Sequence, residues 1–268
     1  MKTALLAIVK NENKYLHEWC QWYKDLGIDK IYLYDNNDLD GERPETVLSD
    51  FGDFVKVVDW RGKHIKDSQR LGQTTQGLAY AHWWAHYHRQ YDWVCIFDAD
   101  EFLRISDKYS GLQDFLQDYS KYSDIKIQWV VYGDNEQITH QEGRVRDRFC
   151  LPSNAHKSCQ HKSIVNCKKN KCPLFHAHGP IKFSNAVNIE RSPVKSVWRD
   201  YKVVEHPSVW LEHYVTKSTQ EYLQRKWHQP DALRNDNINQ NVDLLKKRYF
   251  AYNTKTPEKE QYFNNFCK

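Results

Sequence analysis

Asp98-Ala99-Asp100 is the triplet in this 268-residue chain whose residue types and spacing point most directly to chemistry. Two aspartates one residue apart, at the end of a strand, can both turn toward one hard cation, which takes oxygen ligands and keeps positions for phosphate oxygens. Such a cation neutralises charge on a leaving diphosphate. A second Asp-x-Asp, Asp38-Leu39-Asp40, stands in the turn Asn36 to Gly41 and resembles the start of a calcium loop. It has Val47 where the bidentate Glu belongs, so it reads as a solvated loop. Neither the Gly-x-Gly-x-x-Gly fingerprint nor a phosphate loop ending in Gly-Lys-Ser/Thr is present, which leaves phosphate binding to a metal. In His213-Tyr214-Val215-Thr216-Lys217, His213 can give the metal a nitrogen ligand while Lys217 reaches the diphosphate as a point charge; a structural His and a surface Lys are the plainer reading.

The elements that must position these residues follow from hydrophobic patterning. Thr3 to Val9 reads as a buried strand, and Tyr15, Leu16, Trp19, Trp22, Tyr23 and Leu26 recur at helical spacing between Asn13 as N-cap and Gly27 at the C-terminal cap. Ile31 to Tyr34, Phe54 to Val58 and Trp93 to Phe97 are the next strands, with a long helix from Gln69 to about Gln90 between the last two. This alternation predicts an α/β fold with a largely parallel sheet covered by helices. It sets the aspartates at a strand's carboxyl end, where open α/β sheets bind ligands. Beyond Gly111 the expected strands are Ile125 to Tyr132, Ser163 to Asn166 and Val209 to Val215, followed by a helix from Ser218 to about Trp227. The expected division is one catalytic domain over 1–228 and a helical or partly mobile tail over 229–268.

Lys plus Arg number 39 against 35 Asp plus Glu, a net charge of +4 that is too weak and interspersed to indicate nucleic acid. It suits an anionic ligand or loose peripheral attraction to an acidic membrane surface. No apolar run near the start is long enough for a signal peptide or span, which predicts a cytoplasmic protein. Seven cysteines argue against a secreted disulfide framework. Cys150, Cys159, Cys167 and Cys172 with His176 and His178 could suggest zinc, but their intervals are irregular and no Cys-x-x-Cys pair occurs.

Four further runs carry a family resemblance: Ala7 to Glu12, Leu16-His17-Glu18-Trp19, Leu26-Gly27-Ile28, and Ile31 to Asn36. With Phe97-Asp98-Ala99-Asp100-Glu101-Phe102-Leu103, Gly133, Lys162-Ser163-Ile164-Val165 and His213 to Ser218 in order, the sequence resembles glycosyltransferase family 92 (DUF23) and its bacterial family 2-like relatives over about residues 4 to 226. The resemblance implies a GT-A fold, a nucleoside diphosphate sugar donor (UDP foremost), Mn²⁺ or Mg²⁺, and inversion at the anomeric carbon. It implies that Lys10, Asn11, Glu12 and Asp35 line the nucleotide pocket, and that Gln69 or Gln73 approaches the donor. Two departures stand out. Asp134-Asn135 follow Gly133 where small neutral residues are usual, and Gln220 stands beside Glu221 in place of an acidic pair.

Inverting transfer needs a base for the acceptor hydroxyl's proton. Asp134, Glu136 and Glu142 are the candidates, with Asp134 favoured and a solvated-loop reading open for each. His176 and His178 are candidates to line the acceptor side or supply a third metal ligand, with a satisfied structural His as the default reading for at least one. Most of the aromatic residues fill the core, while Trp60, Trp129 and Trp210 are candidates for stacking on sugar faces. The implied role is hexose transfer to a glycan or lipid-linked glycan in surface polysaccharide or lipo-oligosaccharide assembly. The competing classes are a metal-dependent phosphoesterase or nucleotidyltransferase and a non-catalytic glycan- or zinc-binding module. Donor sugar, linkage and oligomeric state are not encoded in any motif.

Overall fold

A computed structural model gives the fold and describes residues 1–62, 74–182, 184–195, 202–227 and 241–267, apart from the side chains of 154–159. The strands are β1 (Thr3–Val9), β2 (Lys30–Asp35), β3 (Val55–Asp59), β4 (Trp93–Ile96), β5 (Glu101–Ile105), β6 (Asp124–Tyr132), β7 (Pro152–Asn166), β8 (Phe175–His176), β9 (Gly179–Pro180), β10 (Ala186–Asn188) and β11 (Val209–His213). The helices are α1 (Asn13–Asp25), α2 (Thr75–Tyr87), α3 (Leu112–Asp118), α4 (Val145–Arg148), α5 (Thr219–Trp227), α6 (Val242–Phe250) and α7 (Pro257–Phe266).

The main sheet runs β3-β2-β1-β4-β7-β6-β11-β5, with β10 added beside β6. β3, β2, β1 and β4 are mutually parallel, and β7 joins β4 antiparallel. This is the mixed α/β architecture the alternation predicted. The chain moves from β1 outward to β2 and β3, then returns to place β4 on the other side of β1. Connections therefore leave β1 and β4 in opposite directions, and such a reversal opens a crevice at the carboxyl edge of the sheet.

Helix α1 buries Leu16, Trp19, Cys20 and Tyr23, the stripe expected from its period. Its C-terminus closes as predicted. Gly27 sits at φ 90°, with Gly27 N–H donating to Lys24 O and Ile28 N–H to Tyr23 O. The N-terminus differs. Asn13 is the first helical residue, and Glu12 takes the cap position without a side-chain bond. The Asn13 amide is drawn instead to Arg43 O. Helix α2 starts at Thr75, where the Thr74 hydroxyl accepts from Gly77 N–H; the expected start at Gln69 lies outside the described residues. β7 begins at Pro152, eleven residues before the expected Ser163.

The described chain packs as two compact units, one of residues 1–129 and 159–211, the other of residues 130–158 and 212–268. In the first unit Leu6, Tyr34, Trp60, Tyr80, Trp83, Val94 and Ile96 belong to one core, which places Trp60 among core residues. In the second unit Tyr222 and Leu223 of α5 pack with Leu245, Tyr249 and Phe263 of α6 and α7. The end of the chain is thus helical and shares a core with α5. Among the described residues no helix is long and apolar enough to cross a membrane.

Candidate functional site

β4 hands the chain to the acidic triplet, and a tight turn holds it there. Asp98 N–H donates to Glu101 Oε2 at 2.8 Å, and Glu101 N–H donates to Asp98 O at 3.1 Å. The aromatic stripe of α1 fixes the turn from behind. Trp19 Nε1 and Tyr23 OH both donate to Glu101 O at 2.9 Å. Asp100 and Glu101 are buried, while the Asp98 carboxylate is about a third exposed.

Two side chains grip that carboxylate. Gln76 Nε2, on α2, donates to Oδ1 at 3.1 Å, and Lys162 Nζ, on β7, donates to Oδ2 at 2.6 Å. The Lys162 ammonium also donates to Ala177 O at 2.9 Å and stands 3.8 Å from Glu101 Oε2. Burial opposes its charge, but Asp98 and Glu101 hold its pKa above the ordinary lysine value. Burial pushes Glu101 well above the usual carboxylate range. Lys162 thus pairs chiefly with Asp98.

The His176-Ala177-His178 segment is tied into this network by backbone and side chain. Ser163 Oγ donates to His178 O at 2.7 Å and accepts from Lys126 Nζ at 2.7 Å, and Lys126 pairs with Asp124 at 2.6 Å. A Cβ on Gly179, at φ 129°, would lie 2.1 Å from Ser163 Oγ, so only glycine permits this approach. His178 Nδ1 faces His161 O at 2.7 Å and must carry the proton, since a carbonyl only accepts. His176 Nδ1 accepts from His178 N–H at 2.8 Å. Burial and the Lys162 ammonium push His178 down to about 4, and burial and His178 push His176 down to about 3. The His178 ring lies 5.4 Å from buried Trp129, while Trp210 is half-buried.

At the ends of β1 and β2 the other predicted residues cluster by hydrogen bonding. Asp35 is fully buried, with Oδ1 accepting from Asn37 N–H and Nδ2 and Oδ2 3.3 Å from Arg61 Nε. Asn11 N–H donates to Asn37 Oδ1 at 2.7 Å, and Lys10 Nζ pairs with Asp38 at 2.8 Å. Glu12 is buried beside them in sequence. Gln69 and Gln73 lie outside the described residues; the glutamine that α2 contributes is Gln76, three positions after Gln73 in the sequence.

In the second unit Asp134 is buried, and its oxygens are engaged. Oδ2 accepts from Tyr249 OH at 2.5 Å and Lys259 Nζ at 2.6 Å, and Oδ1 accepts from Glu136 N–H at 2.9 Å. Glu136 and Glu142 are exposed. His213 ends β11 and is buried, as is Lys217. Glu221 forms a capping box with Ser218 and a bidentate pair with Arg148, at 3.0 and 2.5 Å. Among the described non-glycine residues, positive φ occurs at Asn11, Asn135, Glu136, Arg191 and Lys217. Three of these are candidates named from the sequence, and left-handed backbone at such residues concentrates at functional sites.

Asp98 and Asp100 offer carboxylate oxygens, the donor chemistry of Mg²⁺ or Mn²⁺, which keep water and phosphate oxygens in the shell. Among the described residues no three His, Cys, Asp or Glu side chains form a ready metal cage; of the zinc candidates, the Cys159 side chain lies outside the described ones. Gln76, Lys162, Arg61 and Asn37 had no role in the sequence reading. Lys162 lay inside a quoted motif, but its partner is 64 residues away.

The model of glycosyltransferase family 92 matches residues 6–248. A glycosyltransferase family 92 protein of Oryza sativa subsp. japonica is 28% identical over 117 residues, 44% of this chain and 18% of that protein, so the match spans under a fifth of its length. Among solved structures, mannosyl-3-phosphoglycerate synthase from Rubrobacter xylanophilus is similar at a TM-score of 0.33 and 16% identity, over 55% of this chain and 44% of that one. TarS of S. aureus is similar at a TM-score of 0.42 and 10% identity, over 99% and 43%. With the family match running through both compact units and every quoted motif, the chain belongs to glycosyltransferase family 92.

Proposed function

We propose that this protein is a GT-A-type glycosyltransferase that moves a hexose from a nucleoside diphosphate sugar, UDP-linked, to a glycan or lipid-linked glycan, with inversion. The observation that carries the reading is the placement of Asp98-Ala99-Asp100 at the carboxyl end of β4, next to β1 at the reversal of strand order. Lys10, Asn11, Glu12 and Asp35, on the loops after β1 and β2, face the nucleotide in this reading. Asp98 and Asp100 would hold Mn²⁺ or Mg²⁺ through carboxylate oxygens, leaving the remaining positions to water and phosphate oxygens. When bound, that cation offsets the charge of the leaving diphosphate. Lys217 adds a point charge to the same phosphates. Glu136 takes the acceptor hydroxyl's proton; Asp134, already holding Tyr249 and Lys259, orients the turn that carries it. Assembly of a surface polysaccharide or lipo-oligosaccharide at the inner face of a membrane suits the acceptor class.

The test is release of nucleoside diphosphate from a panel of nucleotide sugars, with glycan acceptors, in chelator and with Mn²⁺ or Mg²⁺ restored. Metal-dependent release is expected, lost in Asp98→Asn and Asp100→Asn at unchanged thermal midpoint. Full activity in either folded variant would defeat the metal assignment, and no release from any donor would defeat transfer itself.

A further inference from the structure

The Asp98 carboxylate, assigned above to a divalent cation, already has a cation on it. Lys162 is 1% exposed at its side chain, and its Nζ lies 2.6 Å from Asp98 Oδ2, a charge-assisted contact at the short end of the range. Gln76 occupies only Oδ1, so Oδ2 is the atom that a metal and the ammonium would both claim. An ammonium has three donors, and here one goes to Ala177 O at 2.9 Å. Glu101 Oε2 waits 3.8 Å away, on the strand that starts where the triplet ends. Losing Asp98 would therefore leave Lys162 hydrogen-bonded and near a second carboxyl group. Asp98, Asp100 and Glu101 fall within four residues, and an unbalanced cluster of that kind is costly to bury.

We propose that the Lys162 ammonium is a resident counter-cation that balances the acidic turn in the resting protein and that a divalent ion displaces from Asp98 Oδ2. Lys162 weakens metal binding by this competition and turns to Glu101 as the metal arrives. The inference rests on the metal reading above and adds to it a residue that sets metal affinity.

Mn²⁺ alone, titrated into the full chain and followed by the electron paramagnetic resonance of free Mn²⁺, tests it. Lys162→Met removes the charge and keeps the stem, and Lys162→Arg keeps the charge. Removing a positive charge a few ångströms from a dication should tighten the Mn²⁺ Kd of the Met variant by about tenfold or more, while the Arg variant stays close to wild type. Thermal stabilisation by Mn²⁺ should grow in the Met variant for the same reason. A Met variant that is unfolded in chelator and folds when Mn²⁺ is added supports the proposal, and one that stays unfolded with Mn²⁺ counts against it. Wild-type binding that is equal to or tighter than the Met variant's overturns the proposal alone. Absence of Mn²⁺ binding in all three proteins overturns the metal reading and the proposal together.

Discussion

His176 and His178 stand two residues apart with opposite hydrogen-bonding roles at Nδ1, one accepting from a backbone amide and the other donating to a carbonyl. The accepting role of His176 requires a neutral ring, whereas a donating Nδ1 on His178 fits either form and it is burial beside the Lys162 ammonium that disfavours its charge. Protonating His176 at Nδ1 turns its acceptor into a donor facing His178 N–H, and any charge on His178 meets the Lys162 ammonium. Both pKa values lie below the ordinary value, to about 3 and about 4, so the unfolded chain binds more protons than the folded one below the unfolded histidine value of about 6.5. Stability from these rings is complete above that value and is lost as pH falls toward the folded values. The thermal midpoint should therefore decline from about pH 6.5 toward pH 4, and His178→Asn should flatten the decline. An equal slope in that variant, measured by circular dichroism melts across this range, would place the proton uptake elsewhere. The sequence showed two histidines two apart; only the fold shows which lone pair each one uses.

At the scale of elements, the chain's own turns explain what the residue pattern left open. α1 was legible because its stripe is local, yet its consequence was not. Trp19 and Tyr23 reach 82 and 78 residues along the chain to the carbonyl of Glu101. The Gly133–Glu136 turn was read as a loop with a candidate base, and the structure makes it the seat of the C-terminal helices. Asp134 N–H donates to Asn253 Oδ1 at 2.6 Å, and a Cβ on Gly133 would crowd that same oxygen at 3.2 Å. Asp134 and Lys259 are both buried, and removing one member of such a pair strands the other charge. Lys259→Met should thus cost about 3–5 kcal/mol in denaturant unfolding, and pairing it with Asp134→Asn should recover a large part of that loss. A single variant within about 0.5 kcal/mol of wild type, the range of ordinary surface changes, would deny the latch. Ser218-x-x-Glu221 has the spacing of a capping box, but the sequence reading noted Glu221 only as the neighbour of Gln220.

Across the whole chain, the family motifs were legible because each is a short local run and their order survives without any contact between them. The compact units were not legible, because residues 130–158 and 212–268 join through pairs such as Arg148–Glu221 and Asp134–Lys259, 73 and 125 residues apart. Among the residues given roles above, Lys217 and Glu136 both belong to the second unit. A direct displacement needs two things from these residues, charge on the leaving diphosphate and a base for the incoming hydroxyl. Lys217→Ala should then weaken donor binding with acceptor KM unchanged, the signature of a residue that touches only the phosphates. Glu136→Gln should do the reverse, lowering kcat by roughly 10² to 10⁴ with donor affinity intact, since it removes proton transfer and no donor contact. One attack with one inversion converts an α-linked donor sugar to a β-linked product. The anomeric proton coupling in the product's nuclear magnetic resonance spectrum decides the point: an α-linkage would exclude direct displacement, and a β-linkage from a fully active Glu136→Gln enzyme would keep inversion and move the base to another residue.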